Sequence, residues 1–523
     1  MTRKTFLATT FYGLRQLHAF QESVPREEIA QIVRGNSGPF VEKPYLQIGR
    51  SRSVGSDTEI EVLWHARDEP QPWSVLYKGK AETEWRKSAA PDSQPVRLWS
   101  DDHDQLRLES WSTGKDEYGN PARINSYSTV PLPTIEPHRV WKARLTGLKA
   151  GARFDYQVLL DGKPVFAADG RTRPARGQRA RIALVADFGD PLPAPRAIAH
   201  RILVEQPDVV VMPGDMVYLH GRVSEYRRGY FPNYNSDVAS PSTGAPLLRS
   251  IPTIAGLGEH DTGTNSGNPA PHDILGYYLY WSQPLNGLPL RIGDPCVFPI
   301  SPTDARQKAL LESAGSNFPI MAHFSADVGD IHFTFVDTAR HVDWKNPALR
   351  EWLRQDLAHA GRDMWKVMIC YLPLFHSGKD YQRQKMRIIA DIVQEQGVSL
   401  MIGGMHHSYQ RTRPLLYRAY SQTLGVVKDY DMVLPGEFSI DTNYDGLRNQ
   451  TPRGVIHIVT GTGGHEMHNQ DQTRRPATWQ PYTHRYASDR YSFTLLDATQ
   501  DKLEARQLDE EGNELDSYAI RRI

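Results

Sequence analysis

Two short apolar runs near the middle of the chain each lead to an aspartate. Residues 182–185 precede Asp187, and residues 209–212 precede Asp215. The segment 195–205 between them has helical spacing of its apolar residues and a proline at its start, so the pattern predicts a strand–helix–strand unit. Such a unit brings the carboxyl ends of two parallel strands to one edge of a sheet, where ligand sites form. Two carboxylates in one crevice repel each other unless they bind a cation or a proton, so the pattern predicts a metal site.

A different pattern precedes this unit. Residues 43–175 contain short runs in which apolar and polar side chains alternate, separated by Gly, Pro and Asp. This period of two predicts an antiparallel β-sandwich. The turn at 147–151, followed by Phe154-Asp155-Tyr156, resembles the late hairpin of a fibronectin type III module. Residues 101–138 are polar and lack periodicity, so they are predicted to form a long loop inserted in that module.

The remaining pattern divides the chain into three regions. Residues 1–42 form a leader with an amphipathic helix predicted at 26–34. From about residue 180 to residue 523, alternating strand and helix patterns indicate an α/β domain. Within it, residues 218–330 are rich in Pro, Gly, Asn and Ser and are predicted to form long loops over one face. Further strands are predicted at 331–336, 365–371, 399–402, 455–459 and 491–496, and helices at 346–360 and 380–396.

The composition limits the classes of partner. A chain of 523 residues suggests two or three domains. Lys+Arg and Asp+Glu are equal at 61 each, so no net charge favours nucleic acid or an anionic membrane. No apolar run approaches the ~18 residues that a membrane-spanning helix needs. Nothing in the pattern predicts a particular oligomeric state.

The cysteine content and the N-terminus bear on location. The chain has two cysteines and therefore no disulfide framework, which favours a reducing, cytoplasmic compartment. Residues 2–7 form a degenerate twin-arginine-like start without a continuous apolar segment or a cleavage site, so export stays open as the alternative.

Five loops carry side chains with catalytic or metal-binding chemistry. Each follows a buried strand or a short apolar run, and each motif is common on its own. The loops are 187–189, 214–218, 258–261, 371–376 and 404–411. In this order, behind a β-sandwich, they resemble the calcineurin-like metallophosphoesterases and, among them, the purple acid phosphatases. The resemblance extends from about residue 43 to the C-terminus. It implies an α/β fold class with a fibronectin type III-like β-sandwich followed by a two-sheet αββα metallophosphoesterase domain.

The resemblance implies a first metal ion, Fe3+, with four ligands. The family positions are the aspartate of Asp-x-Gly, a bridging aspartate, the tyrosine of Gly-Asp-x-x-Tyr and the last histidine of Gly-His-x-His. Here they are Asp187, Asp215, Tyr218 and His407, and all four match. Carboxylate and phenolate oxygens are hard ligands of the kind that Fe3+ prefers.

The second metal position departs from the family. Glu259, Tyr371 and Met405 stand where the family has an asparagine and two histidines that bind a divalent ion. Either the second site is rebuilt from Glu259, His376 and His406, with Zn, Mn or Fe as the ion, or this protein binds one iron. Two other interpretations stay open, in which Glu259 forms a salt bridge with a loop Arg or Lys and His376 is a solvated loop histidine.

The remaining candidate residues concern the substrate. The resemblance implies that a metal-bound hydroxide attacks phosphorus while His260 assists the leaving group as a general acid. His376, His406 and Arg411 are candidate substrate-binding residues. The main hypothesis is a metal-dependent hydrolase acting on a small-molecule phosphate ester. A mononuclear iron enzyme with non-hydrolytic, redox chemistry and a catalytically silent binding protein are the alternatives.

Overall fold

This computed structural model describes most of the chain. The described residues are 38–55, 57–97, 106–115, 121–130, 137–190, 192–218, 220–262, 276–300, 304–378, 382–420 and 432–522. The predicted leader, up to residue 37, and its helix at 26–34 lie outside them. Within the described ranges, no helix is both long enough and apolar enough to cross a membrane.

The described elements are strands β1–β27 and helices α1–α7, numbered along the chain. The strands up to residue 171 are β1 (Glu42–Gln47), β2 (Asp57–Arg67), β3 (Trp73–Gly79), β4 (Arg86–Lys87), β5 (Asp92–Val96), β6 (Leu106–Lys115), β7 (Pro121–Val130), β8 (His138–Lys149), β9 (Arg153–Leu160) and β10 (Lys163–Arg171). The later strands are β11 (Ala180–Leu184), β12 (Val209–Met212), β13 (Asn235–Ser240), β14 (Gly244–Pro246), β15 (Thr253–Ala255), β16 (Phe324–Val328), β17 (Ile331–Val336), β18 (Trp365–Cys370), β19 (Leu400–Gly403), β20 (Tyr409–Thr412), β21 (Leu415–Ala419), β22 (Gly436–Ile440), β23 (Ile456–Thr460), β24 (Thr483–Ala487), β25 (Ser492–Ala498), β26 (Lys502–Asp509) and β27 (Glu514–Arg521). The helices are α1 (Pro193–Glu205), α2 (Val223–Glu225), α3 (Phe231–Tyr234), α4 (Gly276–Tyr280), α5 (Asp304–Ala314), α6 (Pro347–His359) and α7 (Ala390–Glu395).

Two large sheets form the centre of the molecule. A ten-stranded sheet has the order β27-β26-β25-β11-β12-β15-β1-β2-β8-β5, and a seven-stranded sheet has the order β16-β17-β18-β19-β23-β20-β24. Ile182 and Val211 of the first sheet share one hydrophobic core with Phe333 and Ile369 of the second. Strands such as β12 are apolar at every position because both of their faces are buried. The mixed α/β architecture with several sheets agrees with the prediction.

The regions predicted as 43–175 and 180–523 share a sheet. Strands β1, β2, β8 and β5 pair in antiparallel fashion, and β1 also pairs in parallel with β15 through Gln47 and Thr253. A four-stranded sheet, β10-β9-β3-β4, contributes to a second hydrophobic core. In that core, Trp64 of β2 lies with Val75 of β3 and Tyr156 of β9. The antiparallel strands therefore extend the large sheet, and their fibronectin type III-like identity stays a prediction.

The segment 101–138 differs from its prediction as one long loop. Strands β6 and β7 pair over ten positions in a hairpin, from Leu106 opposite Val130 to Lys115 opposite Pro121. This segment has few aliphatic residues, so a search for apolar alternation misses it. Its Thr, Trp, Tyr and Ile side chains nevertheless favour extended backbone.

Other element boundaries follow local signals. Helix α6 begins at Pro347, and the Asn346 side chain accepts hydrogen bonds from the amides of Ala348 and Leu349. The predicted helix 380–396 is shorter than expected, since a 3₁₀ turn at Lys385–Ile389 precedes α7. Short elements such as β13–β15 and α2–α4 interrupt the predicted long loops of 218–330.

A buried ion network next to β17 generates a stability prediction. His332 Nδ1 lies 2.7 Å from Asp327 Oδ1, and its Nε2 lies 3.1 Å from Asp356 Oδ2. Burial alone would lower the pKa of His332, but its hydrogen bonds to these two carboxylates outweigh that and raise the pKa to about 9. We expect this stabilisation to be complete below pH ~6.5, the ordinary histidine pKa, and to be lost as the pH rises through about 9.

The measurement is urea unfolding between pH 6 and pH 10. His332→Asn should lower the free energy of unfolding by ~3 kcal/mol at pH 6, because it removes the cation that lies between the buried carboxylate of Asp356 and the partly buried carboxylate of Asp327. It should also flatten the pH dependence. The exposed His359 provides the control, since His359→Asn should behave as the wild type. A wild-type stability that does not fall between pH 7 and pH 10 would contradict the assignment.

Candidate metal centre

Asp187 and Asp215 follow two adjacent strands, β11 and β12, which pair in parallel. Both have a left-handed backbone, with φ of 60° and 50°, a region in which aspartate is tolerated better than most residues. Both side chains are buried. Burial, followed by the charge of Asp187, raises the pKa of Asp215 well above its ordinary value. Two bare carboxylates are therefore unfavourable here, and a bound cation would relieve their repulsion.

The Asp187 carboxylate is the point at which the predicted first-ion residues meet. The Tyr218 hydroxyl donates to Asp187 Oδ1 at 3.1 Å, and His407 Nε2 lies 3.4 Å from the same oxygen. The Tyr371 hydroxyl also donates to this oxygen, at 2.7 Å, and contacts Asp215 Oδ2. All five side chains are buried. The structure thus brings Asp187, Asp215, Tyr218 and His407 together at one place.

The donor chemistry of this group fits one hard cation. Two carboxylates, a phenol and an imidazole form a set of the kind that holds ferric iron. Among the residues that the structure describes, no three His, Cys, Asp or Glu side chains have the spacing of a metal site. The Tyr218 hydroxyl lies 3.1 Å from Asp187 Oδ1, so the fit to a cation depends on this phenol as a donor.

Asp261 holds two of the loops in place. Its Oδ2 accepts hydrogen bonds from the amides of Asp215 at 2.8 Å and Gly258 at 2.9 Å, and its Oδ1 accepts one from the amide of Met216 at 3.0 Å. Gly258 is required for this contact, because a Cβ there would lie 2.2 Å from the Asp215 nitrogen. The loops 214–218 and 258–261 are therefore fixed to each other by one buried carboxylate.

His260 lies on the accessible side of the group. Its amide donates to Asp215 Oδ1 at 2.8 Å, and its ring centroid lies 4.7 Å from that of Tyr218. Its side chain is partly exposed, whereas Asp187, Asp215 and Tyr218 are buried. An imidazole in this position can exchange protons with a molecule that approaches the carboxylates.

The three residues at the second-ion positions have protein partners. Glu259 is 4% exposed, and its Oε2 lies 3.7 Å from Nη1 of Arg383. The Tyr371 hydroxyl contacts both aspartates, as described above. Met405 is buried, and its amide donates to Asp187 Oδ2 at 3.2 Å. The interpretation of Glu259 as a salt-bridged carboxylate thus matches its position in the structure.

His376 and His406 form a buried pair, with 3.0 Å between their Nε2 atoms. The Gly378 amide donates to His376 Nδ1 at 3.2 Å. Burial, with the charges of Arg387 and Arg383 adding to it, lowers the pKa of His376 to about 3. Both rings are thus neutral and contact each other.

Arg411, a predicted substrate-binding residue, forms an ion pair with Asp516. Its Nε and Nη2 donate to the two carboxylate oxygens of Asp516, at 2.6 and 2.9 Å, and its guanidinium lies over the ring of Tyr518. The structure therefore does not group Arg411 with Asp187 and Asp215, and this buried ion pair occupies the side chain that was predicted to bind substrate.

The fold and this geometry can be compared with known proteins. Residues 180–409 match the family model for calcineurin-like phosphoesterases. This region is a calcineurin-like phosphoesterase domain. For this region the match bears out the predicted resemblance to the calcineurin-like metallophosphoesterases and supports a phosphoesterase-type hydrolase, and the family is metal-dependent.

Solved structures show a related fold. A purple acid phosphatase from yellow lupin (Lupinus luteus) seeds superposes with a TM-score of 0.56 at 15% identity, covering 92% of this chain and 75% of that one. The structure of PhoD gives a TM-score of 0.48 at 11% identity, covering 93% and 94%. At 15% identity the likeness to the purple acid phosphatase concerns the fold alone. No significantly similar sequence was found among curated proteins.

The phosphoesterase site also contains residues that the motifs did not identify. The His465 ring stacks on Tyr218 with 3.8 Å between centroids, and its Nδ1 contacts the Asp190 carboxylate. The His468 ring stacks on His407 at 3.9 Å, and its Nδ1 accepts the His407 amide hydrogen. Both histidines follow β23, as a His-x-x-His run directly after an apolar strand. That position, rather than a motif, was the signal available in the sequence.

Asp261 generates a prediction for this phosphoesterase site. Asp261→Ala removes the acceptor of three buried amides and should lower the free energy of unfolding by ~3 kcal/mol. Asp261→Asn keeps one acceptor oxygen and should cost less. The measurement is urea unfolding, with Asp471→Ala as control, because the Asp471 side chain is 85% exposed. Equal effects of Asp261→Ala and Asp471→Ala would refute the role of Asp261.

Proposed function

We propose that this protein hydrolyses small-molecule phosphate esters with the help of one iron held by Asp187, Asp215, Tyr218 and His407. The observation that carries the proposal is the meeting of these four buried donors in a phosphoesterase domain, where Asp187 and Asp215 follow the adjacent strands β11 and β12. We also propose that residues 43–175 are a fibronectin type III-like module whose strands extend the catalytic sheet.

In the proposal, some side chains of the site bind the ion and another transfers a proton. When bound, the ion would supply Lewis acidity and neutralise charge that develops on the phosphoryl oxygens. Asp187 and Asp215 hold the binding position, and Asp261 fixes the backbone of Asp215. His260 is the partly exposed imidazole next to this position, and in the proposal it donates a proton to the leaving oxygen.

One observation favours a second candidate function, a mononuclear iron enzyme with redox chemistry. Glu259 is paired with Arg383, and the Tyr371 hydroxyl contacts both aspartates, so the second-ion positions have protein partners. Hydrolysis of phosphate esters by the purified protein separates the two functions, since the redox alternative expects none.

Tyr218→Phe tests the iron site. A phenolate bound to Fe3+ gives a visible charge-transfer absorption, which this variant should lose while its circular dichroism spectrum stays unchanged. Tyr371→Phe is the matched comparison, because Tyr371 contacts the same carboxylates but serves in this proposal as a hydrogen-bond donor, so it should keep the band. A band that survives in Tyr218→Phe would refute the assignment of this ligand.

His260→Ala tests the general acid. An alkyl phosphate has a poor leaving group that needs a proton, so its turnover should fall by about 10²-fold or more. Turnover of 4-nitrophenyl phosphate should fall much less, because its leaving group departs as an anion. His359→Ala at an exposed position is the control. If both substrates lose the same factor, His260 does not protonate the leaving group.

A further inference from the structure

A cationic side chain lies beside the residue that the family resemblance assigns to a second metal ion. The Glu259 carboxylate meets the guanidinium of Arg383, with 3.7 Å between Oε2 and Nη1. The two side chains are 5% and 19% exposed, so the pair is largely shielded from water. A buried carboxylate with a guanidinium partner is already compensated and does not require a metal ion.

The other two residues that could rebuild a second-ion site are already paired with each other. The Nε2 atoms of His376 and His406 lie 3.0 Å apart, and both rings are buried. The contact engages one nitrogen of each ring, so a second ion would compete with it.

Asp215, which the family resemblance assigns as the bridging ligand, also has hydrogen-bond partners. Asp215 Oδ1 accepts the amide hydrogen of His260 at 2.8 Å, and Asp215 Oδ2 contacts the Tyr371 hydroxyl. Both oxygens thus have protein partners, which leaves Asp215 fewer lone pairs to share between a first and a second ion. Met405, the third substituted position, offers a thioether that is a poor ligand for hard or borderline divalent ions.

A site without a second ion still needs positive charge to hold a phosphoryl group. We propose that Arg383 takes the place of the second metal ion, and that its guanidinium, positioned by Glu259, binds a non-bridging oxygen of the substrate phosphoryl group. A guanidinium presents several N–H donors in a planar fork that matches phosphate oxygens. The inference rests on the proposed hydrolysis of phosphate esters and names the residue that completes that site.

The test uses inorganic phosphate as the probe and the iron-loaded full chain. Calorimetry measures the phosphate affinity, and elemental analysis measures the metal content of each variant. Arg383→Ala should weaken phosphate binding at least tenfold without changing the iron content. Arg383→Lys keeps the charge but loses the fork, and should recover part of the affinity. Arg418→Ala is the control, because Arg418 is 81% exposed and pairs with Glu437.

Glu259→Gln keeps the test decisive if Arg383→Ala does not fold. It leaves Arg383 charged but removes the carboxylate that positions it, so phosphate binding should weaken while iron content stays the same. A purely structural role for Glu259 would change the melting temperature without changing phosphate affinity in the folded protein. Wild-type affinity in Glu259→Gln would therefore overturn the positioning role.

The outcomes separate this inference from the function on which it rests. A wild-type protein that hydrolyses phosphate esters but retains two tightly bound metal ions overturns the role of Arg383 alone. So does wild-type phosphate affinity in Arg383→Ala. A wild-type protein that neither binds phosphate nor hydrolyses its esters overturns the proposed function, and this inference with it.

Discussion

The repulsion between Asp187 and Asp215 is the constraint on which the rest of the site depends. Their strands are neighbours, so the two carboxylates meet, and burial removes the water that would screen them. Hydrogen bonds donated by neighbouring residues offset the negative charge of the two carboxylates. The hydroxyls of Tyr218 and Tyr371 donate to it, and the backbone amides of His260 and Met405 do the same. These donors offset part of the negative charge, and a bound cation would offset the rest.

The first-ion residues were predictable because they come directly after apolar strands. A strand end fixes where a side chain lies, so the runs before Asp187 and Asp215 already placed both carboxylates at one sheet edge. Tyr218 and His407 were assigned through the resemblance of their motifs to the family. Neither argument placed His465 and His468, whose stacking on these residues depends on how the chain turns after β23.

Ion pairs between distant segments were the part that the sequence could not predict. Arg411 belongs to a metal-loop motif, yet its partner is Asp516, 105 residues further on. Arg383 lies in no motif, yet it reaches Glu259. Such pairs depend on the final packing of the sheets, because any of the 61 basic side chains has the right charge. The β6–β7 hairpin was missed because its segment has few aliphatic residues and therefore shows no apolar alternation.

The shared sheet gives the N-terminal strands a part in the site. Strand β15 lies between β12 and β1, and the side chain of Gln47 donates to Thr253 Oγ1 at 2.9 Å. The chain continues from β15 into the loop 258–261, which carries Glu259, His260 and Asp261. Without β1, strand β15 would be an edge strand and the loop that follows it would lose one side of its support. The same loop positions His260, the proposed general acid, and Glu259, the partner of Arg383, so the pairing of β1 with β15 connects the N-terminal sheet to the candidate site.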